Sequence, residues 1–512
     1  MKDLLEKIKL IYLPFVVISI SFILIYTFLN WLLFIKFELF PINEKLLNFW
    51  LPLGLPWIFI YFFLSPRLRF LKFKEDRKSY GFQLLAGFTI AISTIIAQEY
   101  LSTATGKLTS LKTISDIQKH EKTKYYTLQK KYIDKKNYGA VKVSDVSGKN
   151  NEHFNMSIYV AMPILETAKD TSKFECNYWL GERYSSQISN RLSIDEKKFK
   201  FKELAERSDE EFKRTDFTQF SYLELLGNTD KHDNFNDAIE ENTHYDFKKP
   251  ILLIAHNEPF EKRNGKKLQW FFMSLGGGFL IWFLLLVFIP LQPQKKRNFE
   301  VAKKSQITTL KDTLSFLIPK EGFYITPILI NINLLVFIIM VFSGYGFFSF
   351  KGNILLDWGA NFRPLVTSGQ GWRLLTSIFL HNGIIHLFNN MIGLGFLGFL
   401  IEKNLGKMRY LLIYLATGIM GSIASIWWYE ATVSVGASGA IFGLAGLYLA
   451  LIVFKAFPDD FNKIFLKFIL VYVGINLVMG FLIPDIDNAG HIGGLLSGFI
   501  IGFLLSDSLK ST

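Results

Sequence analysis

The chain reads VSVGASGAIFG at residues 433–443, where Ser438 lies between glycines at the start of an apolar run that reaches about Phe454. Glycine neighbours remove side-chain bulk, so a substrate carbonyl, a second helix and backbone N–H groups can all approach the hydroxyl. Small residues also pack ordinary membrane helices, so this stretch alone is weak evidence. It indicates a nucleophile only if the chain also supplies a base and an oxyanion stabiliser at the same membrane depth.

The composition is that of a membrane protein. The 512-residue chain is 50% hydrophobic and contains 51 phenylalanines, which is too apolar for an ordinary soluble protein. Several apolar runs approach or exceed the roughly 20 residues that cross a bilayer. The net charge of +13 comes from lysines and arginines beside these runs, which indicates orientation in the membrane and not nucleic-acid binding. The single cysteine, Cys176, excludes an intrachain disulfide and a cysteine-based zinc site.

The apolar runs predict a mainly α-helical, polytopic membrane protein that crosses the bilayer ten times with both termini in the cytoplasm. Pro52 and Pro56 are expected to bend or delay the second helix. Counting alternate crossings places five basic loops in the cytoplasm, as the positive-inside tendency requires. These loops contain Arg67–Lys78, Lys295–Lys304, Lys403/Lys407/Arg409, Lys455/Lys463/Lys467 and Lys510.

We predict four parts in the chain. Residues 1–98 form a membrane region with three transmembrane helices, and residues 99–267 form a soluble extracytoplasmic α+β domain. In this domain residues 154–165 and 250–255 have the pattern of strands and residues 198–214 that of a helix. Residues 268–325 hold a fourth transmembrane helix and a basic cytoplasmic linker, and residues 326–512 hold six helices. No metal, nucleotide or nucleophile motif occurs in the soluble domain, and its partner is not predictable.

Two further groups of residues supply the chemistry that Ser438 needs. His386 and Asn390 lie four apart, on one face of a helix, where two donors suit a negative oxygen. An interhelical hydrogen-bond pair is the alternative interpretation. A ladder of glycines at every fourth residue begins directly before His491, and a matching glycine stripe follows Ser438. The ladder consists of Gly490, Gly494, Gly498 and Gly502, and the stripe of Gly439 and Gly443. Two such stripes allow close backbone contact, which would bring His491 within reach of Ser438, although plain packing also explains them.

A carboxylate partner for His491 is not obvious in the sequence. Asp485 and Asp487 are near His491, but in a loop, where we interpret them as a solvated face. We therefore expect a Ser–His dyad whose base is held by helix packing.

Taken together, these residues resemble the rhomboid family of intramembrane serine proteases. The resemblance covers about residues 327–506 and is carried by four motifs: Gly436-Ala437-Ser438-Gly439, His386 with Asn390, Trp372-Arg373, and Gly490-His491-Ile492-Gly493-Gly494. It implies a six-helix rhomboid-like bundle in which Ser438 is the nucleophile and His491 the general base. It also implies an oxyanion hole formed by His386, Asn390 and the backbone at Ser438.

The same resemblance implies supporting roles. His381 would support the first loop, and Trp372 with Arg373 would be structural within it. Gly490 stands where alanine is frequent in the family, and Phe442 stands where some relatives have tyrosine. Phe442 can still stack on the imidazole but offers no hydroxyl. Gly436, Gly439 and Gly494 complete the motifs.

The function expected from this resemblance is that of an intramembrane serine endopeptidase. It would cleave transmembrane protein substrates within the lipid bilayer of a bacterial cell (inner) membrane, with the active site facing outward and with no metal or cofactor. An alternative is a non-catalytic binder or chaperone of membrane proteins that uses the same fold. A transporter is disfavoured, because the chain has no paired repeat halves with broken helices.

Overall fold

The computed structural model describes residues 2–73, 77–147, 152–172, 174–292, 317–456, 459–482 and 486–510. The chain divides into two compact units, residues 1–299 and 300–512, and each is described here by itself. The finer division into four parts stays a prediction. Several residues of the basic loops and one loop acid lie outside the described residues: Lys74, Lys295, Lys296, Arg297, Lys303, Lys304 and Asp485.

The first unit contains four long apolar helices: α1 (Asp3–Lys36), α2 (Leu46–Leu68), α3 (Arg77–Ala104) and α6 (Lys267–Val287). Their buried side chains pack around Trp282, whose indole N–H donates to the carbonyl of Phe82 at 3.1 Å. This bond satisfies the single polar group of a buried tryptophan in an otherwise apolar core. Pro52 and Pro56 lie within α2, and the helix continues to Leu68.

Between α3 and α6, the described residues form an eight-stranded mixed sheet. Its strands are β1 (Leu108–Leu111), β2 (Tyr125–Leu128), β3 (Tyr132–Ile133), β4 (Gly139–Ser147), β5 (His153–Leu165), β6 (Tyr178–Ser189), β7 (Tyr222–Leu225) and β8 (Ile251–His256). The strand order is β1-β2-β7-β8-β6-β5-β3, and β4 pairs with β5. The β1–β2 and β6–β8 pairs are parallel, and the other pairs are antiparallel. The two predicted strands are confirmed as β5 and β8.

Two helices flank this sheet. Helix α4 (Ile194–Arg214) begins at a capping box in which Ser193 and Glu196 bond each other's backbone N–H groups. It buries Leu204 and Phe212 in the core on one side of the sheet. Helix α5 (Asp230–Glu240) contributes Phe235 and Ile239 to a separate core. The predicted α+β character of this part of the chain is therefore confirmed. The helix predicted over residues 198–214 begins at Ile194 in the structure, because its capping box precedes the apolar residues that indicated it.

The second unit is helical. Its long helices are α7 (Ile325–Phe342), α11 (Ile384–Leu405), α12 (Lys407–Trp428), α13 (Ser438–Val453), α14 (Asp459–Leu482) and α15 (Asn488–Lys510). Three short helices lie in the long connection before α11: α8 (Gly352–Asp357), α9 (Arg363–Thr367) and α10 (Arg373–Thr376).

The helices establish a multi-pass membrane protein. Within the described residues of both units, eight helices are long and apolar enough to cross a bilayer, including α7, α11, α12 and α15. Two shorter apolar helices, Ser438–Val453 and Phe465–Gly480, accompany them. The expected count of ten crossings stays a prediction.

The start of α7 is fixed by a buried carboxylate. Glu402, near the end of α11, is only 1% exposed and accepts hydrogen bonds from the backbone N–H groups of Tyr324 and Ile325, both at 2.6 Å. It also accepts from the N–H of Thr326 at 2.9 Å and from its hydroxyl at 2.7 Å. These N–H groups have no partner within their own helix, so Glu402 satisfies them and holds α7 against α11.

Candidate active site

Ser438 is the first residue of α13, and the backbone just before it passes close to two side chains of α11. Gly436 has a φ of 129°, which favours glycine, and its N–H donates to the carbonyl of Ser377 at 2.9 Å. A Cβ at Gly436 would lie 2.9 Å from two imidazole atoms of His386 and 3.4 Å from Nδ2 of Asn390. The segment before Ser438 can therefore lie against these two side chains only with glycine at position 436.

His386 and Asn390 lie in the first two turns of α11 and converge on Gly436. The imidazole Nδ1 of His386 accepts a long hydrogen bond from the N–H of Asn382 at 3.4 Å, which leaves Nε2 to carry the proton on the side of Gly436. Asn390 is 4% exposed, and its Nδ2 has no acceptor among the described residues. Buried donors normally have a hydrogen-bond acceptor. The side-chain N–H of Asn390 therefore remains an unused donor beside the backbone that precedes Ser438. The buried ring of His381 lies 5.1 Å from that of His386.

The imidazole of His491 lies beside the first turns of the serine's helix. Its ring stacks on Phe442 with 4.3 Å between centroids and 8° between planes. Phe442 is one helical turn after Ser438, so it lies on the same face of α13. Within the described part of the chain, Nδ1 of His491 has no hydrogen-bond partner. The ring is thus held by packing against Phe442 and not by a hydrogen bond at Nδ1.

Glycines bring the backbones of α12, α13 and α15 into contact. A Cβ at Gly494 would overlap the carbonyl oxygen of Gly439, and one at Gly498 would overlap that of Gly443. A Cβ at Gly421 of α12 would lie 2.8 Å from the carbonyl oxygen of Gly490 and 3.3 Å from Cα of Gly439. The close approach predicted from the glycine ladder is confirmed. The residue after Ser438 and the residue before His491 therefore both lie in this contact.

Asp487 is not the solvated loop acid that the sequence led us to expect. It is half-buried, and its Oδ2 accepts a hydrogen bond from the hydroxyl of Ser434 at 2.5 Å. Its Oδ1 accepts from the N–H of Gly490 at 2.8 Å, in the first turn of α15. The interpretation as a solvated face was wrong because it assumed that no other part of the chain reaches this loop.

The long connection before α11 braces the segment that carries Ser438. Arg373 is buried, and its guanidinium donates to the carbonyls of Leu356 at 2.6 Å and Ala360 at 3.1 Å. Asn361, the next residue, exchanges two backbone hydrogen bonds with Ser434, at 3.0 and 2.9 Å. Trp372 is half exposed, with the Arg373 guanidinium 4.6 Å from its ring centroid. The Trp372–Arg373 pair thus belongs to the structure that supports this segment.

The second unit is thus a bundle of membrane helices in which His491 stacks on the residue one turn after Ser438. The side chains of His386 and Asn390 flank the backbone at Gly436. Comparison with known proteins agrees with this class. The Rhomboid domain family model matches residues 368–508. RHOMBOID-like protein 7 of Arabidopsis thaliana is 36% identical over 211 residues, which are 36% of this chain and 66% of that protein. Rhomboid protease GluP of Bacillus subtilis is 43% identical over 180 residues, which are 34% of this chain and 33% of GluP.

A shorter relative, the rhomboid protein YdcA of Bacillus subtilis, is 35% identical over 162 residues, and the match covers 80% of its length and 31% of this chain. The chain belongs to the rhomboid family, with the rhomboid domain at its C-terminal end. It spans between a third and two thirds of the lengths of RHOMBOID-like protein 7 and GluP. The family relationship supports the role of an intramembrane protease.

Proposed function

We propose that this protein is an intramembrane serine endopeptidase that cleaves transmembrane segments of membrane proteins with a Ser438–His491 dyad. The observation that carries the proposal is the stack of His491 on Phe442, one turn after Ser438, in a helix pair whose backbones touch. This packing supports a hydroxyl and an imidazole on the same side of α13. A base within hydrogen-bond reach is what a serine nucleophile requires.

In the proposed reaction Ser438 attacks the scissile carbonyl while His491 takes the hydroxyl proton. The carbonyl oxygen becomes negative, and His386, Asn390 and the backbone N–H groups at the start of α13 stabilise it. The N-terminal end of α13 adds a favourable dipole for the same charge. His491 then gives its proton to the amine, which leaves as the peptide C–N bond breaks and the acyl group stays on Ser438. A water molecule, whose proton His491 takes, attacks this ester, and the proton passes to the Ser438 oxygen as the C–O bond breaks and the acid is released.

The substrate must present an extended peptide bond to this site. A transmembrane helix hides its carbonyls in its own hydrogen bonds, so the cleaved segment has to unwind locally. We therefore expect small or helix-breaking residues near the cleavage site. With both termini in the cytoplasm, the active site and residues 99–267 face the outer side of the membrane, from which water enters. The relatives above come from a plant and a bacterium, so the bacterial inner membrane stays a prediction.

The experiment that tests the proposal is cleavage of a model transmembrane substrate by the purified protein in proteoliposomes. Wild type should release a fragment, and Ser438→Ala should release none while it is expressed and folded as wild type is. Equal cleavage by the Ser438→Ala variant would reject the mechanism. Binding of the substrate without cleavage by either protein would favour the non-catalytic binder or chaperone instead.

A further inference from the structure

The loop before Ser438 and the loop before His491 are joined by one carboxylate. Asp487 accepts a hydrogen bond from the hydroxyl of Ser434 through Oδ2 at 2.5 Å and one from the N–H of Gly490 through Oδ1 at 2.8 Å. Ser434 lies four residues before Ser438, and Asp487 lies four residues before His491. The contact is therefore found at the same distance along the chain from both members of the proposed dyad.

Ser434 is itself held by hydrogen bonds, so its bond to Asp487 fixes the position of Asp487 as well. Its N–H and carbonyl pair with Asn361, a residue that is 1% exposed. The Asn361 side chain donates to the carbonyl of Ser422 on α12 at 2.9 Å. Asp487 thus ties the first turn of α15 to a segment that is already fixed to α12.

The Asp487 carboxylate also acts on the first residue of the same loop. The pKa of Tyr429, at the end of α12, is raised by burial and secondly by the negative charge of Asp487.

The imidazole needs such a constraint because nothing else orients it by a hydrogen bond at Nδ1. In the described chain that nitrogen has no partner, so the place of the ring follows the place of α15. A displacement of a catalytic group by about 1 Å can lower a rate by about 10²-fold. Asp487 lies one turn before His491 and is tied to the loop that precedes Ser438.

We propose that Asp487 is a positioning residue, which joins the Ser434 loop to the start of α15 and so sets the separation of the Ser438 hydroxyl and the His491 imidazole. This inference rests on the proposed function. Asp487 bonds the loop and the start of α15, and not Nδ1 of His491, which has no hydrogen-bond partner in the described chain. Its hydrogen bonds to Ser434 and Gly490 carry the effect.

The test measures kcat and KM for cleavage of a model transmembrane substrate in proteoliposomes by a set of variants. Asp487→Ala and Ser434→Ala remove either side of the same hydrogen bond, so each should lower kcat about 10-fold with KM unchanged. This loss is smaller than the roughly 10²-fold loss that a displacement of about 1 Å can cause. Because they act through one contact, the double variant should be no slower than the slower single variant. Asp487→Asn should restore most of kcat, because asparagine also caps helices and can bond both partners.

The control is Glu430→Gln, which changes an acid in the same loop whose side chain is 90% exposed, and it should leave kcat unchanged. An unchanged kcat in both single variants, multiplied losses in the double variant, or an Asp487→Asn variant as slow as Asp487→Ala would each overturn the positioning role. If Asp487→Ala does not fold, Ser434→Ala decides alone. Ser438→Ala separates the two proposals: if it cleaves as wild type does, the proposed function fails, whereas a loss confined to Ser438→Ala overturns only the role of Asp487.

Discussion

The amide of Asn390 and the imidazole of His386 face one stretch of backbone from a single helix. An unpaired donor such as Nδ2 of Asn390 is unfavourable in a buried site, because folding removes its water without supplying another acceptor. In the proposed reaction the developing oxyanion supplies that acceptor. The unfavourable free energy of the resting state then becomes a gain that is realised only in the transition state.

Asn390→Ala should lower kcat by about 10²-fold, the usual effect of removing one oxyanion donor. It should leave the free energy of unfolding unchanged or slightly increased, since an unsatisfied donor is lost. Asn404→Ala is the matched control: Asn404 lies on the same helix and donates to the carbonyl of Leu400 at 3.0 Å. Its kcat should equal that of wild type. If Asn390→Ala lowers the free energy of unfolding by as much as it raises the activation free energy of cleavage, the alternative of an interhelical structural bond is favoured.

A second prediction at this scale concerns the sheet. Burial raises the pKa of Glu224, but hydrogen bonds and charge from His256 at 2.9 Å and from Lys124 outweigh it, so the pKa is lowered overall. A carboxylate with a lowered folded pKa stabilises the fold above its unfolded pKa of about 4.3 and loses this contribution as pH falls through the folded value. Amide hydrogen exchange in β7 and β8 should therefore accelerate below about pH 4 beyond its intrinsic pH dependence. Glu224→Gln should remove this extra pH dependence, and if it does not, the assignment to Glu224 is wrong.

Spacing within one element made part of the candidate site predictable from the sequence. His386 and Asn390 are four residues apart, and the helical repeat alone puts them on one face. The Asp487–Ser434 contact was not predictable, because it joins residues 53 positions apart. Only the folded arrangement of α12, α13 and α15 brings them together.

At the scale of elements, the site depends on two helices whose glycines let their backbones touch. Helices α13 and α15 touch through backbone at Gly439 with Gly494 and at Gly443 with Gly498. Such contacts give van der Waals packing and allow closer axes than larger residues would. This closeness is what lets His491 stack on a residue of the serine's helix.

Gly494→Ala should separate α13 from α15, because its Cβ would overlap the carbonyl of Gly439. We expect a loss of about 1–3 kcal/mol in the free energy of unfolding, as for overpacked cores, with a fall in cleavage of tenfold or more. Gly474→Ala on α14 is the control, because no heavy atom lies within 4 Å of a Cβ there. That variant should be as active as wild type and no less stable, since alanine is the better helix former. Equal effects of the two substitutions would contradict the role of the glycine contact.

The ladder of glycines was predictable because it repeats with the period of a helix, and β5 and β8 were predictable from their apolar runs. Strands β1, β2 and β7 have four residues each, too few for a pattern to emerge. They exist because neighbouring strands accept their hydrogen bonds, which is a property of the sheet and not of the local sequence.

At the scale of the whole molecule, the family relationship concerns the C-terminal part of the chain and not the sheet of the first unit. The matched relatives align with about a third of the chain, and the family model starts at residue 368. The mixed sheet and its flanking helices lie outside the residues that the family model matches, so this match assigns them no role. The side of the membrane on which they lie is a prediction from the charges of the loops.

The proposed orientation can be measured with an impermeant thiol reagent on intact cells. Glu206→Cys, on the exposed side of α4, should react without permeabilisation, because residues 99–267 are proposed to face outward. Lys403→Cys, in a basic loop assigned to the cytoplasm, should react only after permeabilisation. The native Cys176 is 4% exposed, so it contributes little background. Labelling of both positions from the same side would contradict the proposed crossings.

The measurement that tests the central claim most directly is covalent labelling of the protein in membranes by a fluorophosphonate, with the modified residue located by mass spectrometry. Such probes react with a serine whose hydroxyl is activated by a base. The proposed dyad predicts one adduct on Ser438 in wild type and none in His491→Ala, while Asn404→Ala is labelled like wild type. An adduct on Ser438 that persists at the same rate in His491→Ala would contradict it.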